Sequence, residues 1–450
     1  MTTADRVYSR LVTRSVDAEH ELPEPVRRDL PRNGLRLVAA NTLQSSGDQT
    51  VNASTVLPWL FQAAGVPAAL TALLVPIRES GSMLPQAALT PWVLNSPSRK
   101  KLWIIGGIVQ ALAALGIAVA AVVMESLALG IVVLVLLGML SIGRALCSIT
   151  GKDVQGQTIS KGKRGVVTGR ATTLGGAATL IVGGLLLFVG DVDLTAIVIL
   201  LSIGAASWAV ASVVFTGIVE PSERQSVERQ QAERQSSKEH SAKSDSRERV
   251  RWWSDTWALF FKDIQFRDFV IVRSLMLVSA LSTSFIVALS HSVGNDSLSG
   301  LAGFVLASGL ASLLGGVVSG RLSDISSRRV MSIGAAIASA LLVLIVASAQ
   351  FLPQQISFYL LPIGFFAINL LHTGIRVARK TYVVDMAEGD QRTLYVASAN
   401  TLMGVVLLLV GGVSAVIAVF GNQAALLFLA AVGFIGTWRA GKLPEVSRNT

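Results

Sequence analysis

A few ionisable side chains lie inside long apolar stretches of the chain. They are Asp48, Arg78, Glu79, Arg144 and His372. A charged group in hydrocarbon costs about 2.5 kcal/mol or more unless it is paired or hydrated. Carboxylates in such places exchange protons, whereas arginines hold carboxylates or bind anions. These five residues are therefore the first candidates for a functional site.

The sequence predicts one direct contact among them, between Asp48 and Arg78. Arg78 and Glu79 are neighbours and point roughly 100° apart on a helix, so they meet different partners. Polar neighbours complete the candidate site, namely Gln44, near Asp48, and Asn369, beside His372. A buried ion pair that only orients helices is the alternative for the charged residues. For His372 the alternative is a core side chain with a satisfied hydrogen bond.

The elements that must position these residues are long apolar helices. The chain has 450 residues, of which 52% are hydrophobic and 15% charged. Its mean hydropathy of +0.59 is too high for a water-soluble protein. Stretches of roughly 20 residues, enough to cross about 30 Å of hydrocarbon, recur along the chain. They predict an all-α, polytopic membrane protein with twelve spans, at 35–61, 67–94, 102–124, 127–149, 166–189, 194–218, 266–291, 299–320, 330–350, 356–378, 395–419 and 424–440.

Basic residues between the spans predict the orientation in the membrane. The short connections near residues 64, 125, 191, 291, 353 and 422 contain no Lys or Arg, whereas the opposite connections and both tails are basic. Because basic residues are retained on the cytoplasmic face, both termini should be cytoplasmic in a multi-pass protein of the cell membrane. The net charge of +10 is then a topology signal, not a sign of nucleic-acid binding.

A polar segment after the sixth span divides the chain. We predict an N-terminal tail (1–34), a first six-helix bundle (35–218), a cytoplasmic linker (219–265), a second bundle (266–440) and a C-terminal tail (441–450). At the end of the linker, apolar residues at helical spacing predict an amphipathic helix over about 251–264 in the membrane interface. An ordinary joining helix is compatible with the same pattern. The apolar residues are Trp253, Trp257, Phe260, Phe261 and Ile264.

The two halves contain an internal repeat. Aligning 164–176 with 392–404 keeps an Arg, an Ala, a Thr, a Leu and a Gly in register. The same register places Arg144 on His372, and a register shifted by one further position aligns 98–100 with 327–329. Together these matches predict duplication of a parallel repeat whose axis lies along the membrane normal.

The segment Gly-Arg-Leu-Ser-Asp-Ile-Ser-Ser-Arg-Arg at 320–329 resembles the loop motif of the major facilitator superfamily. The first half keeps the basic pair but has Asn95 where the family usually has Asp. The resemblance implies that spans 1, 4, 7 and 10 line a central cavity and that the two loops form a cytoplasmic gate. Topology alone also explains the basic pairs. The candidate gate residues are Asn95, Arg99, Lys100, Gly320, Asp324, Arg328 and Arg329.

The resemblance also implies a function. We expect a secondary active transporter of a small molecule, acting as a monomer by alternating access. Asp48 or Glu79 would exchange a proton, so an ion gradient takes the place of a cofactor. The alternative is a non-transporting receptor or scaffold that acts through the linker. The sequence contains no zinc-protease, serine-hydrolase or phosphate-loop motif, so we expect neither an enzyme nor a metal site.

Overall fold

The computed structural model describes residues 24–86, 89, 92–93, 96–159, 164–186, 194–220, 252–292, 298–386 and 391–444, together with Tyr8. Within these ranges every regular element is a helix. The helices of spans 1 to 6 are Glu24–Thr50 with Val56–Ala63, Ala68–Thr71 with Leu74–Met83, Arg99–Val123, Ser126–Thr158, Arg164–Leu186 and Leu194–Thr216. A linker helix, Trp252–Lys262, follows. The helices of spans 7 to 12 are Ile264–Leu275 with Val278–Ser292, Leu298–Ile325, Ser327–Phe351, Gln354–Asp385, Gln391–Ala418 and Asn422–Ala440.

The predicted polytopic helical fold is confirmed, although the spans differ in their apolar character. Among the described residues, eight helices are long and apolar enough to cross a membrane, and they correspond to spans 3, 4, 6, 7, 9, 10, 11 and 12. Spans 5 and 8 contain shorter apolar helices, Thr173–Leu185 and Leu301–Gly315. Spans 1 and 2 are interrupted and carry polar residues, which is expected of helices that line an interior surface rather than face lipid.

Several predicted boundaries were wrong. The first helix begins at Glu24, so part of the predicted N-terminal tail is helical, and it breaks after Thr50. The break is stabilised locally, because Asn52 Oδ1 accepts a hydrogen bond from the Ser54 amide at 2.7 Å. Arg78 and Glu79 both lie in helix Leu74–Met83, within the second predicted span.

Contacts between the helices repeat in the two halves. Span 3 packs against spans 4 and 6, as span 9 packs against spans 10 and 12. Between the halves, span 5 packs against span 8, and span 11 packs against span 2. These two interfaces exchange places under a shift of six spans, as a parallel duplication requires.

Glycines at equivalent positions form the contacts between the halves. Gly176 and Gly183 of span 5 lie against Leu313 and Leu306 of span 8, and a methyl group added at either would come within 3.0 Å of the leucine side chain. Their counterparts in the repeat, Gly404 and Gly411 of span 11, lie against Leu84 and Pro76 of span 2. Small residues of this kind bring helix backbones close together.

The loops that precede spans 3 and 9 align in the same register as residues 164–176 and 392–404. Ser98 caps the helix of span 3 by accepting from the Lys101 amide at 3.3 Å. Its counterpart in that register, Ser326, caps the helix of span 9 by accepting from the Arg329 amide at 3.2 Å. The alignment of 98–100 with 327–329, suggested by the basic pairs, is therefore displaced by one position.

The glycine contact in span 11 gives a matched pair of variants. Gly411→Ala should lower the thermal midpoint, because its methyl group overlaps the rigid ring of Pro76 and such overpacking costs about 1–3 kcal/mol. Gly412→Ala meets no heavy atom within 4 Å and should leave the midpoint unchanged or raise it. Thermal unfolding of the detergent-purified variants measures the difference, and equal midpoints would contradict the contact.

Candidate functional site

A cavity of about 490 Å³ lies between the two bundles. Spans 1, 2, 4, 7, 8, 10 and 11 contribute to its wall, so the four spans implied by the resemblance are joined by three others. On the predicted outer side, the rings of Trp59 and His291 meet edge to face at 5.6 Å and join spans 1 and 7. On the opposite side the wall extends to Gln86 and Lys152. The cavity thus extends toward the predicted cytoplasmic end, and the two bundles are in contact on the predicted outer side.

Asp48 is held between two arginines in the wall of this cavity. Its Oδ1 lies 2.7 Å from Nη2 of Arg78, and its Oδ2 lies 2.8 Å from Nη2 of Arg144. The pair predicted from the sequence is present, and Arg144 makes it a triad that links spans 1, 2 and 4. The side chains of Asp48, Arg78 and Arg144 are 20%, 14% and 32% exposed, so cavity water reaches each of them only in part.

A layer of polar groups behind the triad holds Arg144 in place. Gln44 is buried and does not line the cavity, contrary to its predicted position. With its amide oxygen turned toward span 6, it accepts from Arg144 Nη1 at 3.2 Å and from Trp208 Nε1 at 2.9 Å. The Gln44 amide also lies 2.7 Å from that of Gln110 in span 3. Gln44 therefore positions an arginine and is not itself presented to a ligand.

Glu79 differs from Asp48 in having no partner. It lines the cavity next to Arg78, but its carboxylate forms no ion pair or hydrogen bond with any side chain in the described parts of the chain. The nearby charge that acts on it across the cavity is Arg379 of span 10. Glu79 is thus the cavity carboxylate that has no ion-pair partner among the described residues.

The predicted polar residues of span 10 also line the cavity. His372 Nδ1 lies 3.1 Å from the hydroxyl of Ser279 in span 7, so the imidazole has a hydrogen-bond partner. The Asn369 amide donates to the carbonyl of Phe365 in its own helix at 3.0 Å. Both residues line the cavity, and both already have hydrogen-bond partners in the protein. Their role in binding a ligand stays a prediction.

Sequence reasoning missed three arginines that line the second half of the cavity: Arg273, Arg376 and Arg379. Arg379 directly follows predicted span 10, where topology alone accounts for a basic residue, but the helix continues to Asp385. Arg273 and Arg376 fall inside predicted spans, so the cost of an intramembrane charge, which selected Arg144, was the signal that could have found them.

The charge of the cavity wall is strongly unbalanced. The ionisable groups that line it, His372 aside, are six basic and two acidic. They are Arg78, Arg144, Lys152, Arg273, Arg376 and Arg379, with Asp48 and Glu79. A concave surface with an excess of one sign concentrates ions of the other sign.

The first-half gate residues form contacts within their own bundle. Arg99 pairs with Asp153 at the end of span 4, at 2.6 Å, and also donates to the carbonyl of Val93. Lys100 Nζ donates to the carbonyl of Ile218, just after span 6, at 2.9 Å. Asn95 lies outside the described residues.

In the second half, Arg328 donates to the carbonyl of Leu443, after span 12, at 3.2 Å. This matches the contact of Lys100 after span 6. Arg329 is exposed. Nothing beyond the helical backbone is described at Gly320, and the side chain of Asp324 falls outside the described part of the structure. A latch through Asp324 therefore stays a prediction.

Solved transporter structures share this fold, although no family model and no curated protein matches the sequence. A D-xylose-proton symporter superposes with a TM-score of 0.69 at 12% identity, over 93% of this chain and 99% of that chain. A POT family transporter in complex with a thioalcohol conjugated peptide gives 0.66 at 12%, over 94% and 98%. The nucleoside transporter NupG gives 0.65 at 12%, over 91% and 98%. The chain thus has the fold of the major facilitator superfamily along nearly its whole length.

The triad predicts a loss of stability when its centre is neutralised. Asp48→Asn leaves Arg78 and Arg144 without a counter-charge. We expect a fall in unfolding free energy that stays below the roughly 3–5 kcal/mol seen for breaking a fully buried pair, because cavity water hydrates the arginines in part. Thermal unfolding in detergent measures this.

The control is Asp29→Asn, which breaks the longer and more exposed pair of Asp29 with Arg32, 3.7 Å apart, whose side chains are 27% and 61% exposed. Exposed pairs contribute about 0–1 kcal/mol, so this variant should unfold close to the wild type. If the two variants lost the same stability, the triad would not be the structural centre of the first bundle.

Proposed function

We propose that this protein is a secondary active transporter that moves a small molecule by alternating access, rather than an enzyme. The observation that supports this best is the cavity between the two bundles, which carries charged groups and extends to Lys152 on the predicted cytoplasmic side, while Trp59 and His291 join spans 1 and 7 on the predicted outer side. The solved structures with the same fold are described as a proton symporter, a nucleoside transporter and POT family transporters, which agrees with this proposal.

The contacts between the bundles suit a rocking motion. Span 5 meets span 8, and span 11 meets span 2, through four glycines that form two pairs of equivalent positions in the repeat. Such surfaces present few long side chains that would have to separate when one bundle tilts against the other. In this proposal the two bundles tilt about the midplane, and the opening alternates between the two sides.

We assign proton coupling to Glu79 rather than to Asp48. Protonating Asp48 would give up two ion pairs, whereas Glu79 has no such partners. A carboxylate close to an arginine exchanges its proton more readily when another anion occupies that arginine. Glu79 faces Arg379 across the cavity, so substrate and proton occupancy would depend on each other there.

The scaffold alternative has less support. Most of the linker, residues 221–251, lies outside the described residues. The linker helix is fixed to span 11, because Thr256 and Ser398 are hydrogen-bonded at 3.2 Å and Tyr395 donates to Asp263. Trp257 and Phe261 remain exposed on this helix, as an interfacial anchor requires. We propose that it anchors the second bundle of a monomer in the cell membrane, with both termini cytoplasmic.

Alternating access predicts opposite distance changes at the two faces. In a Cys147→Ser background, spin labels at Ala63 and Phe420 mark the outer ends of the bundles, and labels at Lys101 and Arg329 mark the other ends; all four positions are exposed. On acidification in proteoliposomes, the outer pair should move apart while the inner pair moves together, as measured by electron-electron double resonance. Unchanged distances in both pairs would favour a static scaffold.

The response to acid should depend on Glu79. In the doubly labelled proteins, Glu79→Gln should fix the distances at one distribution at all pH values, because the group that titrates is gone. Glu125→Gln, at an exposed outer position, is the matched control and should retain the response. A normal pH response in Glu79→Gln would assign coupling to another group.

A further inference from the structure

The second bundle presents arginines to the cavity without acidic partners. Arg273 and Arg379 are only 8% and 6% exposed, and Arg376 is exposed on the cavity side. Across the described residues, none of the three forms an ion pair. Arg273 and Arg376 lie near enough to Arg379 to repel it. Three like charges are thus held close together, and two of them are buried.

Their hydrogen bonds are also incomplete. Arg273 Nη2 donates to Oδ1 of Asn400 at 2.9 Å, but its Nε has no acceptor among the described residues. Nε and Nη1 of Arg379 are both buried and likewise have no acceptor in the described part of the chain. Buried polar groups in native proteins are nearly always paired, so orphaned donors on a cavity wall need an acceptor from elsewhere.

The two halves of the cavity differ in how far acidic partners compensate their arginines. Arg78 and Arg144 in the first bundle share Asp48, so their charges are already compensated in part. At the position equivalent to Arg144, the second bundle has His372, and Arg376 and Arg379 lie one and two turns further along span 10. Most of the uncompensated positive charge therefore lies on the wall formed by the second bundle.

We propose that Arg273, Arg376 and Arg379 bind a carboxylate or phosphate group, and that the transported molecule is a small anion. The identification with the transported molecule rests on the proposed function, whereas the anion site itself does not. Guanidinium groups bind carboxylate and phosphate oxygens in a bidentate manner, and a bound anion would compensate the three unpaired charges. The cavity volume of about 490 Å³ is that of a small-molecule site.

Anion binding would also draw a proton to the site. An anion on Arg379 removes the positive charge that Glu79 faces, and it adds a negative charge nearby. Both effects favour the protonated form of Glu79, and the coupling is reciprocal. The proton and the anion would then cross the membrane together.

The test is thermal unfolding of the full-length protein in a neutral detergent with sodium phosphate or sodium succinate, against sodium chloride at equal ionic strength. A ligand that binds only the folded state raises the midpoint in a saturable way. We expect a rise of several degrees with at least one of the two probes and none with chloride. Equal midpoints in all three salts would overturn the proposal.

Variants then locate the site. Arg379→Gln and Arg376→Gln should abolish or strongly reduce the rise, and Arg379→Gln should not lower the baseline midpoint, since it removes an unbalanced buried charge. Arg439→Gln, exposed at the end of span 12, should respond as the wild type does. An undiminished rise in both cavity variants would place the anion elsewhere.

A phospholipid headgroup carries the same chemistry, so added phosphatidylglycerol is a further arm. Stabilisation by this lipid alone, with no effect of phosphate or succinate, would overturn a soluble anionic substrate. Binding is measured here without transport. An arginine-dependent rise combined with fixed spin-label distances would therefore retain the anion site and reject the transporter.

Discussion

The structure depends on the need to balance charge inside a membrane. Asp48 meets this need for the first bundle, because its two oxygens take one arginine from span 2 and one from span 4. Arg144 in turn is held by Gln44, which also contacts Trp208 of span 6 and Gln110 of span 3. One carboxylate thus fixes the relative positions of five helices. No equivalent carboxylate faces the cavity from the described part of the second bundle, so the duplicated halves share packing but differ in charge.

Much of the fold follows from the sequence because the bilayer imposes a length and a composition on each helix. All twelve predicted spans correspond to helices, and the repeat found at residues 164–176 and 392–404 reappears in the contacts of Gly176 and Gly404. The errors lie at helix ends. Hydropathy detects only the apolar part of a helix, so the polar ends of the helices of spans 1, 4 and 10 gave no signal.

The candidate site was predictable where a charge stood out against apolar neighbours. This criterion found Asp48, Arg78 and Arg144, and helical geometry separated Arg78 from Glu79. It failed for Arg379, because a basic residue at the end of a span is equally expected from topology. Only the three-dimensional structure shows that Arg379 has no acidic partner among the described residues. A single sequence shows which charges are present, but the distances between helices decide which of them remain unbalanced.

The glycine contacts have a consequence for how such a protein can change over evolutionary time. The four glycines and the side chains opposite them, Leu313, Leu306, Leu84 and Pro76, are absent from the cavity wall. The surfaces through which the bundles contact each other and the surface that lines the cavity are therefore separate sets of residues. Substitutions in the cavity can change its charge and shape while the contacts between the bundles stay intact, so one arrangement of helices can enclose cavities of different chemistry.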